Sequence, residues 1–446
     1  MKRLIVGWVL LLLSGIAAAD TTAFVNVNVV SMESGDIERF RTVVVTDGVI
    51  ETISDFNATA LTEDTVVVDG TDRFLIPGLA EMHGHVPGVD SASLDRVLAL
   101  YVANGVTTVR GMLGQAPHLE LRERIGRGEV LGPRLVTSGP SFNGQSVRNP
   151  RQARQKVRDQ HAAGYDFLKI HPGLTRAEFD AVAETANELG IPFAGHVPED
   201  VGVERALEAG IATIDHLDGY LQALLRPNED PSGGLGGFFG VFVADLADDA
   251  GIDALARMTA DAGTWNVPTE SLFEHVTSPR LPIEELAARP EMKYMPAATV
   301  AQWEQAKRDV LNDPSYVPAT AIRAIEIRQQ LLRAFKEAGA GLLLGSDSPQ
   351  IFNVPGFALH HELELLVEAG LDPLDALRSG TVNPARFFGV QDRRGQVREG
   401  FDADLVLLDA DPIADISNTR RIHGVMLAGR WLARPELDAL LERFER

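Results

Sequence analysis

The sequence predicts an α/β protein: a (β/α)8 TIM barrel with a small β-sandwich domain formed by both termini. Three observations predict this fold. Between residues 77 and 388, short apolar strands alternate with helical segments, which is the pattern of parallel strands joined by helices. On either side of this region, short strands rich in β-branched residues prevail. The chain of 446 residues is long enough for both parts.

The first residues follow the order of a secretory signal peptide, which we assign to residues 1–19. Lys2 and Arg3 precede an apolar run over residues 4–16, and small alanines end the segment. This order predicts export across the membrane with cleavage near Ala19, and the run is too short for a comfortable bilayer span. We therefore expect a mature periplasmic protein without a membrane span.

Composition narrows the classes of partner and ligand. The formal net charge is −22, and removal of the signal peptide makes the chain more acidic still. Such a charge argues against nucleic acid or an anionic membrane as a partner. The chain has no cysteine, so a metal ion would depend on His, Asp, Glu or Lys. A homo-oligomer is compatible with this composition, but the sequence carries no mark of one.

The predicted β-sandwich combines residues 20–76 with residues 389–446. In the first segment, Val25 and Val27 alternate with asparagines, and this period of two residues is typical of a half-buried strand. Residues 405–408 form a short apolar strand in the second segment. Because the second segment returns to the all-β character of the first, we expect the two to form one small β-sandwich.

The predicted barrel covers residues 77–388 and needs eight strands. The active site of such a barrel lies at the C-terminal ends of its strands. The candidate strands are residues 74–82, 106–110, 134–138, 166–170, 192–196, 213–216, 264–268 and 341–346.

Two inserts, at about residues 221–263 and 271–336, lengthen the barrel. Both have mostly helical patterns, and both follow late strands. Loops after these strands surround the mouth of a barrel, so the inserts are predicted to form a lid over the site.

Polar residues stand at the ends of the predicted strands. The first strand ends in His83-Gly84-His85, and residues i and i+2 of a strand project from the same face, so both histidines can bind one ion. A single histidine is more often a structural residue. Strand ends meet at the mouth of one barrel, so a whole set of candidates there indicates a metal site. The set is His83, His85, Lys169, His196, His216 and Asp347.

These motifs resemble those of the amidohydrolase superfamily over nearly the whole mature chain. The resemblance rests on His83-Gly84-His85, on Lys169 within Phe-Leu-Lys-Ile, and on three further segments. Those segments are Gly195-His196, Asp215-His216 and Gly345-Ser346-Asp347-Ser348. Within the superfamily the chain is similar to the imidazolonepropionase-related branch, which contains zinc dipeptidases of the prolidase-like and Xaa-Arg type.

The resemblance implies two divalent metal ions, with zinc as the first choice. His83, His85 and Asp347 would hold one ion, and His196 and His216 the other. Lys169 would bridge both ions as N6-carboxylysine, because a lysine beside two cations loses its proton readily and can react with carbon dioxide. The alternative for Lys169 is a cation that recognises a substrate carboxylate. Manganese, cobalt and iron also suit these ligands.

The resemblance also implies hydrolysis of C–N bonds in small substrates such as dipeptides or N-acyl amino acids. A metal-bridging hydroxide would attack the carbonyl carbon. Asp347 would accept its proton and pass one to the leaving nitrogen. A cyclic-amide hydrolase or deaminase, and an esterase or lactonase, remain open on the same scaffold. A non-catalytic binding protein is disfavoured because all six positions are present.

Candidate substrate contacts are weaker. Tyr220 follows His216 by four residues, in the predicted loop after the sixth strand, where it would face the substrate. Arg110 and Glu270 lie near the ends of the second and seventh strands. His171 and His275 stand in a loop and an insert. Ordinary loop packing explains Tyr220 equally well.

Overall fold

The computed structural model describes residues 21–56, 58–227, 229 and 236–446 of the chain. The predicted signal peptide at residues 1–19 lies outside the described residues. Among the described residues, no helix combines the length and apolar character needed to cross a bilayer.

The described residues form strands and helices in alternation. The strands are β1 Thr21–Val30, β2 Ile37–Thr46, β3 Val49–Asp55, β4 Val66–Asp69, β5 Phe74–Pro77, β6 Leu79–Gly84, β7 Val106–Gly111, β8 Arg134–Thr137, β9 Leu168–Ile170, β10 Phe193–Gly195, β11 Thr213–Asp215, β12 Trp265–Val267, β13 Gly341–Leu342, β14 Leu405–Leu408, β15 Ile422–Leu427 and β16 Arg430–Ala433. The helices are α1 Leu94–Ala103, α2 Pro117–Gly126, α3 Pro150–Ala163, α4 Arg176–Leu189, α5 Val203–Glu208, α6 Tyr220–Ala223, α7 Ile252–Asp261, α8 Glu270–Thr277, α9 Ile283–Ala287, α10 Ala297–Leu311, α11 Pro318–Ala338, α12 Phe357–Glu368, α13 Pro373–Gly380, α14 Val382–Phe387 and α15 Arg434–Glu442. Short 3-10 turns lie at Phe238–Gly240, Ala244–Leu246, Asp249–Gly251, Pro290–Tyr294 and Ile416–Arg420.

Strands from both ends of the chain share one eight-stranded sheet. Its order is β16-β15-β14-β5-β1-β2-β3, with β4 beside β1. β14 pairs antiparallel with β5, where Leu407 stands opposite Leu75, and so joins the two ends. Alternate residues of these strands are apolar and bury a separate small core. The two-layered sandwich and its boundaries stay predictions.

The predicted first barrel strand, residues 74–82, is in fact two strands that meet at Gly78. β5 belongs to the terminal sheet and β6 to the barrel. Gly78 donates its N–H to the carbonyl oxygen of Asp404 at 2.8 Å. A Cβ at this position would lie 2.3 Å from Thr107 Oγ1, so only glycine fits the crossing between the sheet and the barrel. This break was not predicted, because both strands are buried and their adjoining residues form one continuous apolar run in the sequence.

The strands β6 to β13 run parallel in chain order and form a TIM-barrel-like fold. Bridges between Ser138 and Phe167, and between Gly84 and Ser348, connect the two parts of the barrel sheet. All eight predicted strand regions carry these strands; six have shorter bounds, whereas β6 and β7 extend two residues and one residue beyond the predicted ends. The helices pack around them in one continuous apolar core. This topology brings the carboxyl ends of all eight strands to one mouth.

The two inserts differ in content. The second contains α8, α9, α10 and α11 and is mostly helical, as predicted. The first contains α7 and three 3-10 turns, which lie before this helix. It also contains residues 221–223 of α6, so helical turns recur along the part of the first insert that the structure describes.

Candidate metal centre

Three side chains at the ends of β6 and β13 form a compact cluster. His83 and His85 project from the same face of the chain, with ring centroids 5.6 Å apart. Asp347 Oδ1 lies 2.9 Å from His85 Nε2 and 3.5 Å from His83 Nε2. One ligand atom from each of the three residues lies within 4.8 Å of the others. These residues could hold one metal ion.

His196 and His216 extend the cluster from the neighbouring strands β10 and β11. The His216 ring lies 4.5 Å from that of His83 and 4.7 Å from that of His196. His216 Nε2 is 3.8 Å from Asp347 Oδ2. The structure therefore brings five of the predicted ligands together at the mouth of the barrel, while their roles stay predictions.

Two of these residues have unusual backbone angles. His216 has φ 64° and Asp347 has φ 59°, in the left-handed region that side chains other than glycine rarely adopt. Backbone hydrogen bonds hold both: His216 N–H donates to Val267 O at 2.7 Å, and Asp347 N–H to His83 O at 2.8 Å. Such outliers concentrate at functional sites, where the surrounding structure fixes them.

Lys169 on β9 lies fully buried beside the cluster. Its Nζ is 3.6 Å from Asp215 Oδ2 and has no hydrogen-bond partner in the part of the chain that the structure describes. Burial lowers the pKa of Lys169 below its ordinary value, although the charge of Asp215 opposes this shift. The lysine is therefore shifted towards the neutral amine, which is the form that reacts as a nucleophile.

Asp215 is a site residue that the sequence analysis quoted in a motif but gave no role. It lies 3.0 Å from His83 Nδ1, and its Oδ1 accepts hydrogen bonds from Arg110 Nη2 at 3.1 Å and from Thr213 Oγ1 at 2.7 Å. Burial alone would raise its pKa, but the charges of Arg110 and Lys169 outweigh burial and lower it. Its only signal in the sequence was its place directly before His216.

Other partners orient the histidines on β10 and β11. His196 Nδ1 lies 3.0 Å from Asp218 Oδ2, and His216 Nδ1 lies 2.8 Å from Thr269 Oγ1. Burial lowers the pKa of His216 well below its ordinary value, so its ring is neutral. With Nδ1 engaged in this way, Nε2 of each ring is left for a metal ion.

Glu81 connects the first barrel strand to the segment after β13, and it was not predicted as a site residue. Its carboxylate accepts the backbone N–H groups of His83 and Ser346, each at 2.9 Å, and also the Ser346 hydroxyl. Burial raises the pKa of Glu81 to about 7. No spacing rule marked this residue, because its partners come from opposite ends of the barrel sequence.

Of the predicted substrate contacts, His171 lies beside the cluster. Its ring is 5.1 Å from that of His196. Burial, with a further contribution from Lys169, lowers the pKa of His171 to about 2, so this imidazole is neutral. His275, in contrast, is buried within α8, and its Nε2 accepts a hydrogen bond from Arg289 Nη1 at 2.8 Å.

Arg110 and Glu270 were predicted to contact the substrate, and this prediction needs correction. Both side chains are paired with buried groups of the protein itself. Arg110 Nε donates to Met82 O at 2.6 Å, and its other nitrogens donate to Thr213 and Asp215 inside the barrel. Glu270 forms a two-point ion pair with Arg328, at 2.8 and 3.0 Å.

Tyr220 is also a correction. The interpretation as a loop residue facing the substrate fails because α6 begins at Tyr220 and turns its side chain into the core. Its hydroxyl lies 2.8 Å from Thr259 Oγ1, and its ring packs against Phe335.

The donor set fits a divalent metal ion. Asp347 Oδ1 and Lys169 Nζ are both buried without a hydrogen-bond partner among the described residues. Each such atom costs on the order of 1–3 kcal/mol when nothing satisfies it. The imidazoles and the carboxylate around these atoms are ligand types that zinc and similar ions prefer.

An eight-stranded α/β barrel with histidines and a carboxylate at its mouth defines a class of metal-dependent barrel hydrolases. Comparison with known families agrees with this assignment. The family described as "Amidohydrolase family" matches residues 74–432. The chain belongs to this family and is a hydrolase.

Individual relatives are more distant. The chain is 24% identical to ochratoxinase from Aspergillus niger over 367 residues, which cover 77% of this chain and 71% of that protein. It is similar in structure to bottromycin amidohydrolase, with a TM-score of 0.70, 24% identity and coverage of 95% of this chain and 90% of the other. A Xaa-Pro dipeptidase with bound methionine in its active site gives a TM-score of 0.67 at 19% identity, with coverage of 93% and 100%. At these identities the structural similarities show the fold alone.

Proposed function

We propose that this protein is a binuclear metal-dependent hydrolase of small amides, such as dipeptides or N-acyl amino acids, in the periplasm. The observation that carries the proposal is the convergence of five ligand side chains on one barrel mouth beside a buried lysine. The names of its relatives, an ochratoxinase, a Xaa-Pro dipeptidase and an amidohydrolase, support small amides as the substrate class. The order of residues 1–19 supports export.

The residues divide between two ions. His83, His85 and Asp347 would hold the first, and His196 and His216 the second, with Lys169 as N6-carboxylysine contributing to both. Two divalent ions, with zinc as the first choice, would lower the pKa of a water molecule and polarise the carbonyl oxygen of the substrate.

Asp347 supplies the proton transfer in this proposal. Its Oδ1 is buried and has no hydrogen-bond partner among the described residues, so it is available as a base. It accepts the proton of the attacking water and returns one to the leaving nitrogen, without which an amine is a poor leaving group. His171, neutral and adjacent to His196, is the side chain best placed to contact the substrate.

The test is amine release from a library of dipeptides and N-acyl amino acids by zinc-loaded protein from residue 20 onwards. Asp347→Asn serves as the inactive variant, and Asp392→Asn, at an exposed position after α14, as the matched control. Release by wild type and Asp392→Asn, but not by Asp347→Asn, is expected. If protein with two bound ions releases no amine, the proposal is wrong, and esters, lactones or cyclic amides become the substrates to test.

A further inference from the structure

A turn in the first insert places an aromatic ring against the histidines of the candidate centre. The ring of Phe239, within Phe238–Gly240, lies nearly parallel to that of His216, with centroids 4.7 Å apart and an angle of 13°. It lies 5.9 Å from the ring of His196. Phe238 packs against Phe239 at 4.3 Å and continues the row of rings towards Phe273 on α8. The rings form an aromatic wall beside the cluster.

The backbone of this turn adopts an unfavourable conformation at Phe239. Phe239 has φ 50° and ψ 39°, in the left-handed region that L residues avoid. Gly237 and Gly240 flank it with φ 67° and 84°. A Cβ at Gly237 would lie 2.4 Å from the ring of Phe242, so the turn is closely packed. A costly conformation beside a functional site indicates that the position of the Phe239 ring is important.

Exposure shows where a substrate reaches the cluster. The side chains of His83 and His216 are 1% exposed, whereas that of His85 is 25% and that of His196 is 12% exposed. Access therefore runs past His85 and His196. Phe239 is half-buried and stacks near His196, so its accessible part borders this path.

We propose that Phe239, supported by Phe238, forms a substrate subsite for a flat apolar group, such as an aromatic acyl group or an aromatic side chain. This inference rests on the proposed amide hydrolase function and specifies its substrate class. Aromatic rings gain from edge-to-face and offset-stacked contacts beyond the area they bury, which a saturated ring of the same size does not. A charged group at the same place would lose its hydration without a partner.

A purely structural role for Phe239 makes different predictions. If the ring only held His216 in place, its replacement would lower kcat for every substrate by a similar factor. A subsite instead changes KM, and it does so only for substrates that carry the flat group. The two roles are therefore separable by a matched substrate pair.

The first experiment compares two substrate pairs in zinc-loaded wild type and Phe239→Leu. The pairs are N-benzoylalanine with N-(cyclohexylcarbonyl)alanine, and N-acetylphenylalanine with N-acetylcyclohexylalanine. Wild type should prefer the aromatic member of at least one pair by roughly 2- to 12-fold in kcat/KM, mainly through KM. Phe239→Leu should lose this preference, and Phe40→Leu, at an exposed position on β2, should keep it.

A second measurement does not depend on turnover. Calorimetry would compare the binding of benzoate with cyclohexanecarboxylate, and of phenylalanine with cyclohexylalanine, to the same three proteins. Stronger binding of an aromatic probe to wild type and Phe40→Leu alone supports the subsite. No aromatic preference in wild type, or an equal loss of kcat for both members of each pair, overturns it. If neither these amides nor the dipeptide and N-acyl amino acid library is hydrolysed, the proposed function fails, and the binding data still decide on the subsite.

Discussion

The two halves of the candidate centre are built differently. His83, His85 and Asp347 come from β6 and the loop after β13, and their ligand atoms already lie within 4.8 Å of one another. The other half has two histidines, from β10 and β11, and its further donor is Lys169, whose ammonium form has no lone pair. Amino-acid side chains alone therefore complete one ion site. In our proposal the other depends on carbon dioxide, which the chain does not encode.

The largest expected effect comes from Asp347, which is a ligand in the complete half and the proposed proton carrier. Asp347→Asn keeps the shape of the side chain but removes a base, so turnover should fall by roughly 10²- to 10⁴-fold. Steady-state kinetics with metal analysis of the same sample measure this. Unchanged turnover in metal-loaded Asp347→Asn would contradict the role, and Asp392→Asn is the control.

Lys169→Ala tests the other half directly. Removal of the bridge should reduce the bound metal from two ions per chain towards one, because the remaining two histidines form an incomplete set. Elemental analysis after dialysis measures the ratio. Lys293→Ala, at an exposed position, should retain both ions. Two ions in Lys169→Ala would show that the lysine is no bridge and would favour its role as a substrate-binding cation.

A smaller effect should follow from the partner of His196. Asp218 lies 3.0 Å from His196 Nδ1 and orients the ring, so Asp218→Asn should weaken the second ion by roughly 10- to 100-fold. Competition with a chelator would resolve the two affinities. The first ion should keep its affinity; equal weakening of both ions would mean that the halves are not separate.

The smallest effect concerns a buried histidine outside the cluster. His360 Nδ1 lies 3.0 Å from Thr419 Oγ1, and its Nε2 lies 3.1 Å from Asn104 O. Both ring nitrogens therefore have hydrogen-bond partners within the protein. Burial lowers the pKa of His360 from 6.5 to about 3. The unfolded state therefore binds a proton first, and the stability that His360 contributes is present above pH 6.5 and is lost as the pH falls towards 3.

Between pH 7 and pH 5.5 this linkage should lower the free energy of unfolding by about 1 kcal/mol. Urea denaturation of metal-free protein at each pH measures it. His360→Gln should remove this part of the slope. His161→Gln, whose side chain is exposed on α3, should leave the slope as it is. A slope that His360→Gln does not change would contradict the assignment.

The sequence predicted the barrel and the meeting of its strand-end residues, because alternation and fixed strand ends are local patterns. It did not predict the break at Gly78, since two buried strands of different sheets read as one apolar run. Tyr220 was misplaced because a short helix starts where a loop was expected.

Contacts between distant parts of the chain were beyond the sequence patterns. Glu81 accepts a hydrogen bond from the backbone N–H of Ser346, and the ring of Phe239 stacks on that of His216. Neither pair has a characteristic spacing. Asp215 was visible only as a neighbour of His216, and its contacts with His83 and Lys169 follow from the closure of the barrel.

The shared terminal sheet has a consequence for the order of folding. β5 leads directly into the strand that carries His83, yet its partner β14 is among the last strands to be synthesised. Arg73 and Asp409, which form a hydrogen bond beside this pairing, are 336 positions apart. β5 can therefore pair with β14 only after nearly the whole chain has been synthesised. Loop closure over such a separation is slow. A nascent chain with this connectivity completes its terminal sheet only after β14 has been synthesised.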